Sequence, residues 1–157
     1  LEAAILETMP DWQRVEAEYL MVRWNVQDMM DIAAQQKAVI QLATEKPDVY
    51  VADSDTFQWL VRSGVFMPLD EYAEAWGDLV PEGAAVRGAI AVSEPGDPNL
   101  KFGEEHVYGF EITNSPLVKG WPMYANELIV GLRLDTDRVE QALAWIERYL
   151  SAMKESG

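Results

Sequence analysis

The chain has 157 residues, a hydrophobic share of 49% and six tryptophans, enough for one domain with a buried core and too apolar for disorder. Its 27 acidic and 12 basic side chains leave a formal charge of −15, which repels nucleic-acid phosphates and anionic lipid headgroups and reads first as a solubilising surface. Cysteine is absent, which excludes disulfides, thiolate nucleophiles and Cys-type zinc sites; no apolar run approaches the ~20 residues of a membrane helix.

In chain order, Leu1, Ala4 and Ile5 share one side of a short helix that ends near Pro10. Because the chain opens inside this pattern, a signal or anchor segment is expected to precede Leu1. Val15 to Val22 (VEAEYLMV) begins with alternation and predicts a strand. From Gln27 to Thr44 the period becomes helical: Met29, Ile32, Ala33, Val39, Ile40 and Ala43 fall within an arc of about 120°. Lys46-Pro47 stops that helix.

Asp48 to Ala52 predicts a short apolar strand of the buried type. Asp53, Ser54 and Asp55 are three N-cap candidates in a row, and the helix behind them turns Phe57, Leu60 and Val61 inward before Gly64 ends it. A second cap and helix are expected from Pro68-Leu69-Asp70 to about Trp76. Residues 77–104, punctuated by Gly and Pro, predict loops, one short helix and a weak strand near Ile90 to Val92. Glu105 to Ile112, carrying Gly109, and Glu127 to Leu132 predict two more strands. A capped helix then starts near Asp137, with Glu140 three residues on and an apolar stripe of Val139, Ala142, Leu143, Ile146, Leu150 and Met153.

Repeated strand–helix alternation predicts a single α/β domain over residues 1–157: a mixed, mostly parallel sheet flanked by helices. In that arrangement the 48–52 strand is central and parallel to at least one neighbour, and the 137–154 helix packs on the sheet.

Lys46-Pro-Asp-Val-Tyr-Val-Ala-Asp-Ser-Asp-Thr-Phe57, followed by Gly64-Val-Phe-Met-Pro-Leu-Asp-Glu-Tyr72, resembles the N-lobe signature of the extracellular solute-binding proteins of ABC transporters, the type 2 periplasmic-binding-protein-like family. Val107-Tyr-Gly-Phe110 and the stretch from Glu127 through Leu150 are similar to later parts of that family, in the same order. Family members are usually at least twice as long and close two lobes around a solute. Here the region of the second lobe shrinks to the stretch between Trp76 and Glu105, so the chain looks like a short, one-lobed, membrane-tethered relative. The resemblance implies an extracytoplasmic lipoprotein or otherwise anchored module of a transport system, a non-enzyme without cofactor or bound metal. Its implied partner is a small-molecule solute, a sugar.

In the sugar-binding members, an Asp and the polar residue after it contact solute hydroxyls; the matching positions are Asp55 and Thr56. The ligand-binding candidates are therefore Asp53, Ser54, Asp55 and Thr56, with Trp59, Trp24, Tyr108 and Trp121 as aromatic neighbours. Helix capping is the plainer reading of the acidic loop, and rim packing that of the indoles. Trp59 stands roughly opposite the Phe57–Leu60–Val61 stripe, the side on which an indole stacks on a sugar or a partner.

Two other functions stay open. One is an interaction module that has lost solute binding and meets a second copy of itself or a membrane-protein partner. The other is a metal-dependent glycosyltransferase in which Asp53-x-Asp55 holds Mn²⁺ or Mg²⁺. His106 is the only histidine, with no second His or Cys for the usual zinc site and no G-x-S-x-G motif, so it reads as a surface or hydrogen-bonded structural residue.

Overall fold

The structure, a computed structural model, describes residues 1–17, 33, 36, 37, 40, 41, 47–92, 101–119, 121 and 127–156. The chain divides into two compact units, Leu1–Pro47 with Gly120–Met123, and Asp48–Lys119 with Tyr124–Gly157.

In the first unit, helix α1 (Glu2–Thr8) buries Ile5 and is closed by the Met9 N–H, which donates to the Ile5 and Leu6 carbonyls. The Ala17 N–H donates to the Glu2 carboxylate at 2.9 Å. Residues 15–17 are not in a strand, and 18–22 of the strand expected at Val15 to Val22 lie outside the described residues. Of the helix expected from Gln27 to Thr44, residues 33, 36, 37, 40 and 41 are helical, and the remainder lies outside the described residues.

The second unit holds a four-stranded sheet of order β1-β4-β3-β2, with β1 Val49–Ala52, β2 Ala85–Gly88, β3 His106–Glu111 and β4 Ile129–Leu132. Helices α2 (Ser54–Arg62) and α3 (Asp70–Trp76) follow β1, and α4 (Val139–Ser156) follows β4. Short 3-10 turns occupy Gly77–Leu79 and Pro116–Val118.

The register explains how α2 docks. Tyr50 opposes Gly131 and Val86 opposes Gly109, while Phe110 opposes Val130 in the next row. One row across the sheet therefore reads Tyr50, Gly131, Gly109, Val86, with two glycines in the central strands. Phe57 of α2 lies over those glycines: a Cβ added at Gly109 would stand 2.3 Å from Phe57 Cζ, and one at Gly131 3.0 Å from Phe57 Cε2 and the Phe66 ring. Phe57 stacks on Phe66 at 4.6 Å between ring centroids, and Tyr50 meets Phe66 edge-on at 5.5 Å. The neighbouring row faces the other way, and its central residues Phe110 and Val130 are fully buried. Trp76 of α3 reaches Phe110 at 5.4 Å.

Phe66 is held by the segment 65–69, which runs beside β4 in line with β3. The Met67 N–H donates to the Leu132 carbonyl at 3.0 Å, the Leu134 N–H to Val65 at 2.9 Å and the Leu69 N–H to Val107 at 2.6 Å. At the start of β1, the Asp48 carboxylate accepts from Thr136 Oγ1 at 2.6 Å and from the Arg138 guanidinium at 3.2 Å. It thereby ties β1 to the turn between β4 and α4.

As expected, the C-terminal helix packs on the sheet, against β4, and also meets both 3-10 turns. It buries Ala142, Ile146 and Leu150 of the predicted stripe and, beyond that stripe, Trp145 and Tyr149. The buried Ser115 hydroxyl donates to the Tyr149 carbonyl at 3.0 Å.

The expectation of a mostly parallel sheet is overturned. Every strand pair among the described residues is antiparallel, and β1 is an edge strand of the described sheet rather than a central one. Parallel neighbours need a crossover of a dozen or more residues, usually helical, whereas antiparallel neighbours need none. The α2–α3 excursion resembles such a crossover in sequence. It delivers the chain to β2 at the opposite edge, from which β2, β3 and β4 run up and down in succession. The weak strand near Ile90 to Val92 is reduced to an isolated bridge between Ala91 and Phe102, and β2 at Ala85–Gly88 was not foreseen.

Gly109→Ala is expected to destabilise the fold by about 1–3 kcal/mol or more, because its methyl group collides with Phe57 and with the Val130 carbonyl at 2.5 Å. Gly131→Ala, with its nearest contacts at 3.0 Å, is expected to cost less. Urea unfolding of the two variants beside the parent checks both the sign and the order.

Candidate functional site

At the end of β1 the chain turns straight into α2. Asp53 is extended (φ −71°, ψ 173°) and its carboxylate accepts from the Thr56 N–H at 2.9 Å, so it is the N-cap foreseen from sequence. Ser54, Asp55 and Thr56 form the first turn; Asp55 is exposed, and Ser54 and Thr56 are half-buried. Phe57, Leu60 and Val61 are turned into the core. Trp59 lies four residues after Asp55, so carboxylate and indole are neighbours on one helix face, and Trp59 is half-buried there. Gln58 fixes the helix laterally, donating to the Arg87 carbonyl at 3.0 Å.

The structure thus brings Asp53, Ser54, Asp55, Thr56 and Trp59 together. Of the aromatic candidates in the same unit, Tyr108 is not brought to them. Tyr108 is only 2% exposed, and strand alternation places it on the sheet face opposite Gly109 and hence opposite α2. Burial and the nearby Asp70 carboxylate push its phenol above the ordinary tyrosine range. Trp121 is buried and belongs to the first unit. Trp24 lies outside the described residues.

A second constellation was missed as a site in the sequence. Asp70, expected as a cap, is the first residue of α3, whose N-cap is Leu69 with no side-chain cap bond. Its carboxylate instead reaches β3, accepting from the Val107 N–H at 3.1 Å with one oxygen and meeting His106 Nδ1 at 2.9 Å with the other. The opposite nitrogen, Nε2, faces the Glu104 carboxylate at 3.9 Å. The adjacent Arg87 and Glu105 form their own ion pair at 2.7 Å. Partial burial alone would raise the Asp70 carboxyl, but the Val107 N–H and His106 outweigh it and hold the group below the usual aspartate range. Asp70 and His106 stand 36 residues apart in sequence, and no local pattern announces their meeting. Among the described residues, no group of three or more His, Cys, Asp or Glu side chains is arranged to enclose a metal ion.

Two outcomes follow from these carboxylates. Asp53→Ala is expected to lower stability by about 1 kcal/mol through the lost cap, and Asp55→Ala by less; thermal and urea unfolding distinguish them. For Asp70 the folded-state carboxyl is the stronger acid, so its contribution is present above the ordinary aspartate range and disappears as pH falls through the lowered folded value. The stability gap between the parent and Asp70→Asn should be full above the ordinary aspartate range and shrink as pH falls below it. A gap that does not change with pH would remove the carboxylate's charge from the account. Comparison with known proteins leaves the chain unassigned: no family model matches it, and no curated protein or solved structure matches it.

Proposed function

We propose that this chain is an extracytoplasmic solute-binding or sensing module, a binding protein rather than an enzyme, that recognises a carbohydrate through the outward face of α2. The observation that carries the proposal is the pairing of Asp55 and Trp59 one helical turn apart, on a helix whose opposite side is locked into the core. An ionised carboxylate accepts two hydroxyl hydrogen bonds at once, and an indole offers a flat apolar surface to the C–H face of a sugar ring. Thr56 adds a hydroxyl to the same turn. Asp53 acts behind them: its carboxylate is committed to the Thr56 N–H, so it fixes the turn rather than meeting the solute.

Support also comes from the sequence resemblance to solute-binding proteins, which puts Asp55 and Thr56 at the solute-contacting positions and carries the extracytoplasmic, membrane-tethered setting with it. An antiparallel sheet serves as the platform as well as a parallel one would, because recognition rests on one helix terminus held by Phe57. A site of one helix face encloses little of a sugar, so the expected affinity is weak, on the order of 1 mM for a monosaccharide, with longer oligosaccharides binding more tightly.

The test is an NMR and thermal-shift screen of mono- and oligosaccharides, followed by Asp55→Ala and Trp59→Ala. Each substitution is expected to weaken a saturable hit by roughly tenfold or more, while Asp53→Ala changes stability more than affinity. No response at millimolar sugar, or variants that bind like the parent, would sink the carbohydrate reading. That result would favour a module that meets a second copy or a membrane protein instead.

A further inference from the structure

The outward face of α2 extends beyond the Asp55–Trp59 pair. At 3.6 residues per turn, Asp55, Trp59 and Arg62 fall within an arc of about 60°, opposite the Phe57–Leu60–Val61 stripe. Arg62 is exposed, and among the described residues it meets no carboxylate. Arg14, Arg87, Arg133 and Arg138, by contrast, each lie against one. An arginine in the last turn of a helix commonly hydrogen-bonds the end carbonyls. Here those carbonyls are already taken. Trp59 accepts from the Ser63 N–H and hydroxyl, Leu60 from the Val65 N–H, Val61 from the Gly64 N–H and Arg62 from the Ala91 N–H, all at 2.9–3.2 Å. The guanidinium donors are therefore left to solvent, on a helix end whose backbone is fully bonded.

We infer, building on the carbohydrate reading of this same face, that Arg62 makes it selective for an acidic saccharide, a disaccharide unit that carries a hexuronate. Asp55 and Arg62 stand about 10 Å apart along the helix axis, with the indole between them. That is the reach of two linked pyranose rings. The hydroxyls of one ring meet Asp55, its C–H face lies on Trp59, and the carboxylate of the next ring meets Arg62. Guanidinium and carboxylate are both planar and pair through two parallel N–H···O bonds, which a lysine ammonium does not reproduce. The order along the face, negative, apolar, positive, complements a saccharide with hydroxyls at one end and a carboxylate at the other. It also sets the direction in which that saccharide lies. The formal charge of −15 opposes an anionic solute at long range. Salt at physiological strength screens that field beyond about 8 Å, and the Arg62 contact lies inside that distance.

The matched probes are cellobiose and the disaccharide in which its terminal glucose is oxidised to glucuronate, titrated by NMR at about 0.15 M salt. The parent is expected to bind the acid roughly tenfold more tightly than cellobiose. Arg62→Gln should bring the acid down to the affinity of cellobiose, and Arg62→Lys should restore part of the preference. Urea unfolding checks that both variants fold. Equal binding of the two sugars by the parent would overturn the role given to Arg62 and leave the carbohydrate reading standing. An acid preference that survives Arg62→Gln would do the same, and would leave the side chain only its favourable place at the negative end of the helix dipole. If the parent binds neither disaccharide at millimolar concentration, the carbohydrate reading fails and the acid selectivity fails with it.

Discussion

The second unit depends on one close approach, the Phe57 ring against the backbone of the two central strands. A side chain at either Gly109 or Gly131 would occupy the space the ring takes. Without that ring Phe66, which Tyr50 meets edge-on, loses its stacking partner. Close packing of this kind gives a core its low tolerance for added volume, because a buried ring has nowhere to retreat. It also fixes the rotation of α2 about its axis. With Phe57, Leu60 and Val61 committed inward, Asp55 and Trp59 have only the outward side, so the candidate recognition face is a consequence of packing two residues away.

Carboxylates of one chemical type take four roles in this unit, set by what each can reach. Asp48 gathers Thr136 and Arg138 and joins the first strand to the start of the last helix. Asp53 satisfies one orphan N–H at a helix start. Asp70 crosses from α3 to β3 and orients an imidazole. Asp55 turns outward. The formal charge of −15 is therefore not a uniform solvated surface: among the described residues, some carboxylates join elements while Asp55 is exposed.

The antiparallel order of the sheet has its own logic. The strands at β3 and β4 are buried almost throughout, which in sequence reads as the continuous apolar run usually associated with parallel sheets. Here burial on both faces comes from α2 on one side and from Trp76 with its neighbours on the other, while the strand directions follow from connections that need no crossover helix.

Local chemistry determined much of this chain by itself. The Asp53 cap, the inward stripe of α2, its end at Gly64, the helix from Asp70 to Trp76 and the long C-terminal helix all follow from periodicity and terminal residues within one or two turns of sequence. The outward side of Trp59 follows from the same periodicity. What only the tertiary structure decided involves residues far apart. Strand direction depends on the path of the α2–α3 excursion. The need for glycine at 109 and 131 depends on a ring delivered from residue 57. The role of Asp70 depends on His106, which no spacing rule connects to it, and the separation of Tyr108 from the Asp53–Thr56 turn depends on which sheet face each occupies. Such outcomes are set by register and crossing of elements that meet only after folding, and a one-dimensional pattern carries no information about which of its faces will come together.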